Sequence, residues 1–225
     1  MAKHLKKNKP ILPLFTLFVC LVIAAPVITG TIFRFDKEFL KKAEEKCGKE
    51  APARFTAWED LIHNDKSPSD REKLEKVNKF FNSRILFVND IDLWGVKDYW
   101  ATPLEFLCKK AGDCEDFAIA KYFTLKAMGV AEEKLNIAYV KAIQYNIAHM
   151  VLTYYSEPGA EPLVIDNLID SIDPASKRTD LMPIFSFNGL GLWTAKERGK
   201  GKMAGSADRL KPWQGLMQKM SENKL

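Results

Sequence analysis

Histidine and cysteine are scarce in this chain of 225 residues, at three and four copies. No cysteine belongs to a CxxC pair and no Cys/His combination has zinc-site spacing, which sets structural zinc aside. There is no EF-hand loop and no internal repeat. Nor does the body carry a run of one charge. Its basic residues interleave with acids, so no nucleic-acid groove is expected and nucleic acid is not a partner. The formal charge of +5 reflects one end of the chain, because four lysines stand in the first ten residues.

Those lysines open "MAKHLKKNKP", and twenty uncharged residues, "ILPLFTLFVCLVIAAPVITG", follow. A basic stretch ahead of an apolar one reads as a secretory signal, or as an uncleaved N-terminal anchor, since the run is long enough to span a bilayer. Pro13, Pro26, Ala24 and Ala25 favour the signal peptide. The expected division is therefore a leader over 1–30, one domain over 31–195, and a basic, partly flexible tail over 196–225. In that tail Trp213, Leu216, Met217 and Met220 keep helical spacing, which favours a terminal helix packed on the body over a partner-docking surface. With Cys20 in the leader, Cys47, Cys108 and Cys114 remain. An odd number in an exported protein implies at least one free thiol. Whether Cys47 and Cys108 pair is left open.

Helices are predicted over 36–47, behind the Ser69/Glu72 capping box (Leu74, Val77, Phe80 and Phe81 apolar), and behind Thr102-Pro103-Leu104-Glu105. Gly112 is expected to break the last of these. Another helix then runs from the Asp113 cap to Gly129. Beyond it the pattern turns to β: "LNIAYVKAI", "HMVLTYY" and "LVIDNL", with "EPGAEP" as a turn, and "FSFNGLGLWTA" as a strand kinked at glycine. Helices first and strands afterwards imply an α+β fold with a mainly antiparallel sheet.

The most informative stretch is "GDCEDFAIAKYFTLKAMGV". Cys114 takes the first helical position, where unpaired N–H groups favour a thiolate and can hold an oxyanion. A buried cysteine acting as a small hydrophobe is the bland alternative, and three neighbouring carboxylates argue against it. A nucleophilic thiol needs a base, commonly histidine, held by a third group. His4 lies in the leader. His63, in "LIHNDKSPSD", reads as solvated in a polar loop, whereas His149 opens an apolar strand. Asp166 in "LVIDNL" is the third group, with Asp170 and Asp173 as alternatives. Asp113, Glu115 and Asp116 oppose a thiolate. As hard oxygen donors within one turn they suit Ca²⁺, whose charge would reverse that opposition. Asn89, Asp90 and Asp92 of "NDID" are further possible ligands, and simple helix-start capping is the alternative. For Trp94, Tyr99 and Trp100, core packing is favoured over lining a cleft or docking a partner.

"YWATPLEFLCKKAGDCEDFAIAKYFTLKAMGV", "AHMVL", "VIDNL" and "FSFNGLGLW", within residues 75–195, resemble the bacterial transglutaminase-like cysteine proteinases, most specifically at "GDCEDFAIAKY". The resemblance implies a papain/transglutaminase-like fold, with the nucleophile on a helix N-terminus packed on the sheet. It implies a Cys114, His149, Asp166 triad and calcium held by Asp113, Glu115 and Asp116. It further implies a periplasmic endopeptidase that cuts a large surface adhesin near its N-terminus at a di-alanine site, promoting biofilm dispersal. An inner-membrane cyclic-di-GMP receptor would sequester the enzyme, a monomer or weak dimer. Rival expectations are a transglutaminase, amidase or acyltransferase using the same triad, or a non-catalytic calcium-dependent adhesin-binding module.

Overall fold

A computed structural model describes residues 33–196 and 199–222. The expected leader and Cys20 lie outside the described residues, among which no helix is long and apolar enough to cross a membrane.

The helical half comes first. Helix α1 (Lys37–Cys47) starts where the Asp36 carboxylate accepts the Phe39 N–H at 2.8 Å, and Gly48 at φ 88° turns the chain out of it. Helix α2 (Ala51–His63) is not among the sequence expectations, although Phe55, Trp58 and Ile62 sit at helical spacing and are buried. His63, read as a solvated loop residue, ends that helix with Nε2 at 3.3 Å from the Phe33 carbonyl. Helix α3 (Asp70–Asn82) begins at Ser69, whose hydroxyl accepts the Glu72 N–H. Strand β1 (Leu86–Phe87) and the short helix α4 (Asp90–Leu93) lead to α5 (Pro103–Lys109). Both halves of a capping box start α5: Thr102 Oγ1 accepts the Glu105 N–H at 3.1 Å, and Glu105 Oε2 accepts the Thr102 N–H at 2.8 Å. Strand β2 (Ala111–Gly112) pairs in parallel with β1, and α6 (Cys114–Ala127) follows at once.

Two links hold α5 to the front helices. Cys47 and Cys108 form a disulfide, which leaves Cys114 as the free thiol among the described residues. Closing a loop over a sequence separation of 61 contributes about 4 kcal/mol in the chain-entropy account. Beside the bridge, Arg54 donates to the carbonyls of Cys47, Leu107 and Cys108 and satisfies acceptors that the helix ends leave open. The segment running into Cys114 is thus anchored covalently and by charge-assisted hydrogen bonds.

The second half is an antiparallel sheet of seven strands: β3 (Leu135–Ala142), β4 (Ile147–Tyr154), β5 (Leu163–Ile165), β6 (Asp173–Pro174), β7 (Leu181–Asn188), β8 (Gly191–Lys196) and β9 (Gly199–Gly205), in the order β6-β5-β4-β3-β7-β8-β9. Period-two alternation divides its apolar residues. Leu135, Ile137, Met150, Leu152, Ile165 and Phe187 join the core with the helices, while Ala138, Val140, Val151 and Val164 form a smaller cluster. The α+β, mainly antiparallel expectation holds. Two details differ from the sequence reading. "FSFNGLGLWTA" is a hairpin rather than one kinked strand, because Asn188 Oδ1 accepts the Leu190 N–H and closes the turn between β7 and β8. Strand β9 lies in the segment expected to be partly flexible, whereas the stripe at Trp213 and Leu216 forms the expected terminal helix, α7 (Lys211–Glu222), and both residues are buried in the main core.

Candidate active site

The chain enters α6 through a tight passage. A Cβ on Gly112 would lie 2.5 Å from Asp116 Oδ2 and 2.6 Å from the Phe106 ring. Gly112 therefore serves close approach rather than helix breaking. The break is made by Lys110, which adopts the left-handed conformation at φ 55°. Asp113 occupies the N-cap position, yet its side chain accepts no capping bond, so the expected capping role is not observed.

Half-buried Cys114 heads α6, and its thiol donates to Glu115 Oε2 at 2.9 Å. The Met150 backbone, one residue beyond His149 on β4, faces the sulfur and favours its ionised form. Burial, then the charges of Glu115 and Asp113, push the thiol well above its ordinary range and outweigh the helix terminus. These surroundings oppose the thiolate that the helix start alone would favour.

On the sheet side, His149 Nε2 lies 2.8 Å from Asp166 Oδ1, and both residues are buried. Asp166 is fully engaged. Its Oδ2 accepts from Arg178 Nη2 at 2.8 Å, and its Oδ1 also accepts the Leu168 N–H. Its carbonyl accepts from Lys121 Nζ and Asn82 Nδ2. Burial by itself would raise this carboxyl, but hydrogen bonds and charge from His149 and Arg178 prevail and hold it at about 2. The two alternatives have other partners: Asp170 Oδ1 accepts from Asn82 and Asp173 Oδ2 from Ser171. Arg178 and Lys121 were not singled out from the sequence. Lys121 lies within the most informative stretch, where its place among apolar residues was the available signal.

On the other side of the thiol is an acidic cluster. Ligand atoms come within 4.8 Å of one another in three overlapping sets: Asp113, Cys114 and Glu115; Asp90, Asp113 and Asp116; and Asp90, Asp98 and Glu115. Of the "NDID" residues, Asp90 joins the cluster, Asn89 takes the N-cap position of α4, and Asp92 is exposed outside the sets. Asp98 was not foreseen. The Tyr99 N–H donates to Asp90 Oδ2 and the Ala101 N–H to Asp116 Oδ1. Asp90 Oδ1, Asp113 Oδ1 and Asp116 Oδ2 are buried without a hydrogen-bond partner. Burial together with Glu115 and Asp98 raises Asp90 to about 6 against the Tyr99 hydrogen bond. Burial and the charges of Glu115 and Asp116 raise Asp113 to about 9. Asp116 is likewise raised well above the ordinary range, first by burial. Carboxylate oxygens converging with no side-chain cation bonded to them, three of them orphaned, are a donor set suited to a hard divalent cation such as calcium.

The flanking aromatics are mostly packed. Trp100 stacks on Phe187 with centroids 5.6 Å apart, and Trp94 packs on Tyr99 at 4.4 Å.

Residues 36–181 match the family described as bacterial transglutaminase-like cysteine proteinase. Among solved structures, EGTA-treated LapG of Legionella pneumophila is 44% identical, with a TM-score of 0.71 over 81% of this chain and 96% of that one. Calcium-bound LapG of the same organism is 43% identical, with a TM-score of 0.69 over 81% and 98%. No curated protein matches the chain. The family match and the agreement in fold along nearly the whole of LapG lead to one conclusion: this chain belongs to the bacterial transglutaminase-like cysteine proteinases.

Proposed function

We propose that the protein is a calcium-dependent cysteine endopeptidase of the periplasm that cuts the N-terminal region of a large surface adhesin at a di-alanine site. In this reading Cys114 is the nucleophile, His149 the general base and acid, and Asp166 the group that orients the imidazole. The observation that carries it is the buried His149–Asp166 hydrogen bond, with His149 on β4 beside Met150, whose backbone faces the Cys114 sulfur. Asp166 engages Nε2, which leaves Nδ1 to receive the thiol proton.

The sulfur then attacks the scissile carbonyl carbon, and the Cys114 backbone N–H at the start of α6 stabilises the oxyanion. The Nδ1 proton passes to the leaving amine as the C–N bond breaks. Water, deprotonated by the same nitrogen, hydrolyses the thioester and the thiol is restored. Asp113, Glu115 and Asp116, with Asp90 and Asp98, would hold calcium, which would supply a positive charge to this acidic cluster beside the thiol. The basic and apolar leader supports export. Release of the adhesin would disperse a biofilm, with a cyclic-di-GMP receptor of the inner membrane as the sequestering partner.

The test incubates the protein and its Cys114→Ala variant with an adhesin N-terminal fragment, in calcium and in EGTA, and reads products by mass. Scission by the parent in calcium alone is expected. Scission by the alanine variant would remove the nucleophile assignment, scission in EGTA would remove calcium dependence, and an amine-exchanged product would mark an acyltransferase.

A further inference from the structure

One peptide unit lies between the acidic cluster and the C-terminal helix. Its carbonyl, on Trp100, accepts from Lys219 Nζ of α7 at 2.6 Å. Its N–H, on Ala101, donates to Asp116 Oδ1 at 2.8 Å. The two bonds polarise the same amide in the same sense, so each strengthens the other. Lys219 grips the surrounding segment at two more points: its ammonium sits 3.8 Å from the centroid of the Tyr99 ring and 3.2 Å from Glu105 Oε2. Tyr99 in turn gives its N–H to Asp90 and its hydroxyl to Glu105. The helix bearing Lys219 is fixed by Trp213, which is buried and stacks on Phe123 of α6 with an interplanar angle of 8°.

We infer that Lys219 is a positioning residue for the cation site. By holding the Trp100–Ala101 peptide it fixes Asp116 with one oxygen on the Ala101 amide, so that the orphaned Oδ2 is presented to the cluster. The same grip steadies the Tyr99 amide that holds Asp90. The C-terminal helix thereby governs calcium affinity without contributing a ligand. This rests on the calcium reading of the acidic cluster.

Geometry and charge predict opposite signs, which makes the role testable. An ammonium acting only through its charge would repel calcium, and neutralising it would tighten binding. A positioning ammonium does the reverse. Calcium affinity is measured by calorimetry on the full chain, its Lys219→Met and Lys219→Gln variants, and Gln218→Ala as a control on the exposed side of α7; melting in EGTA checks folding. Lys219→Met is expected to weaken calcium roughly tenfold, with Gln218→Ala equal to the parent. Lys219→Gln, which keeps a donor for the Trp100 carbonyl, is expected to lie between, and it carries the comparison if the methionine variant does not fold. Parent-like or tighter calcium binding by the folded Lys219 variants would overturn the inference and leave the cation site standing. A parent that takes up no calcium would overturn both.

Discussion

Asp116 and Asp166 are buried alike, at 0% and 1% exposure, yet their carboxyls are displaced in opposite directions, one well above the ordinary range and one down to about 2. Burial raises both. The difference lies in the company each keeps. Asp166 meets an imidazole, a guanidinium and a backbone N–H, whereas Asp116 meets the backbone of Ala101 and Asp113 and the carboxylates Glu115 and Asp90. Cys114 stands between a side where charge is matched and a side where it is not. The matched side is organised by the protein's own residues; the unmatched side has the composition of a site completed by a cation. Residue type and depth do not fix the direction in which a buried carboxyl is displaced, and the neighbours do.

The most damaging way to break this contrast is to unmatch the matched side. Asp166→Asn removes the negative charge opposite both His149 and Arg178, and should lower turnover about 10⁴-fold while substrate binding is largely kept; steady-state kinetics on an adhesin fragment measures both. A smaller effect is expected from Glu115→Gln, which removes the charge nearest the thiol. The Cys114 pKa should fall and alkylation by iodoacetamide near neutral pH should rise about three- to tenfold, read by mass. Unchanged alkylation would mean that burial alone holds the proton. Asp116→Asn should raise the stability of the calcium-free protein by on the order of 1 kcal/mol, by removing an uncompensated buried acid. The same change should abolish the rise in melting temperature on adding calcium.

The gentlest probe is pH. Asp90 and Asp113 have folded values of about 6 and about 9 against an ordinary 3.8, so the folded chain binds more protons than the unfolded one across that window. Their contribution therefore diminishes as pH rises through it. Asp166 behaves oppositely: its contribution is complete above 3.8 and is lost as pH falls towards about 2. Urea midpoints in EGTA should decline from mildly acidic to alkaline pH, and saturating calcium should flatten that decline.

The readable part of this molecule was local. Helical periodicity over 36–47 and the caps at Ser69 and Thr102 located three helices, and β-rich runs located β3 and β4. Pairing His149 with Asp166 was within reach because few histidines were available. What escaped depends on tertiary contact. Arg178 sits in a turn-like stretch, and only the fold brings it to Asp166. Asp98 reaches the cluster from a loop whose sequence carries no ligand spacing. Helix α2 was missed despite its apolar spacing, because its flanks lack a strong cap: Glu50 makes no side-chain capping bond. The Lys219 contacts span 114 and 119 residues, beyond the range of any local pattern.

Gly112 has a consequence for mutational maps of this protein. It contributes no side chain to chemistry, yet the first carbon added there would occupy space already held by Asp116 and Phe106. A saturation scan scored by activity should find it as intolerant as Cys114, two residues on. A scan scored by abundance would separate them: substitutions at Cys114 should leave a folded, silent protein, whereas those at Gly112 should deplete the protein itself.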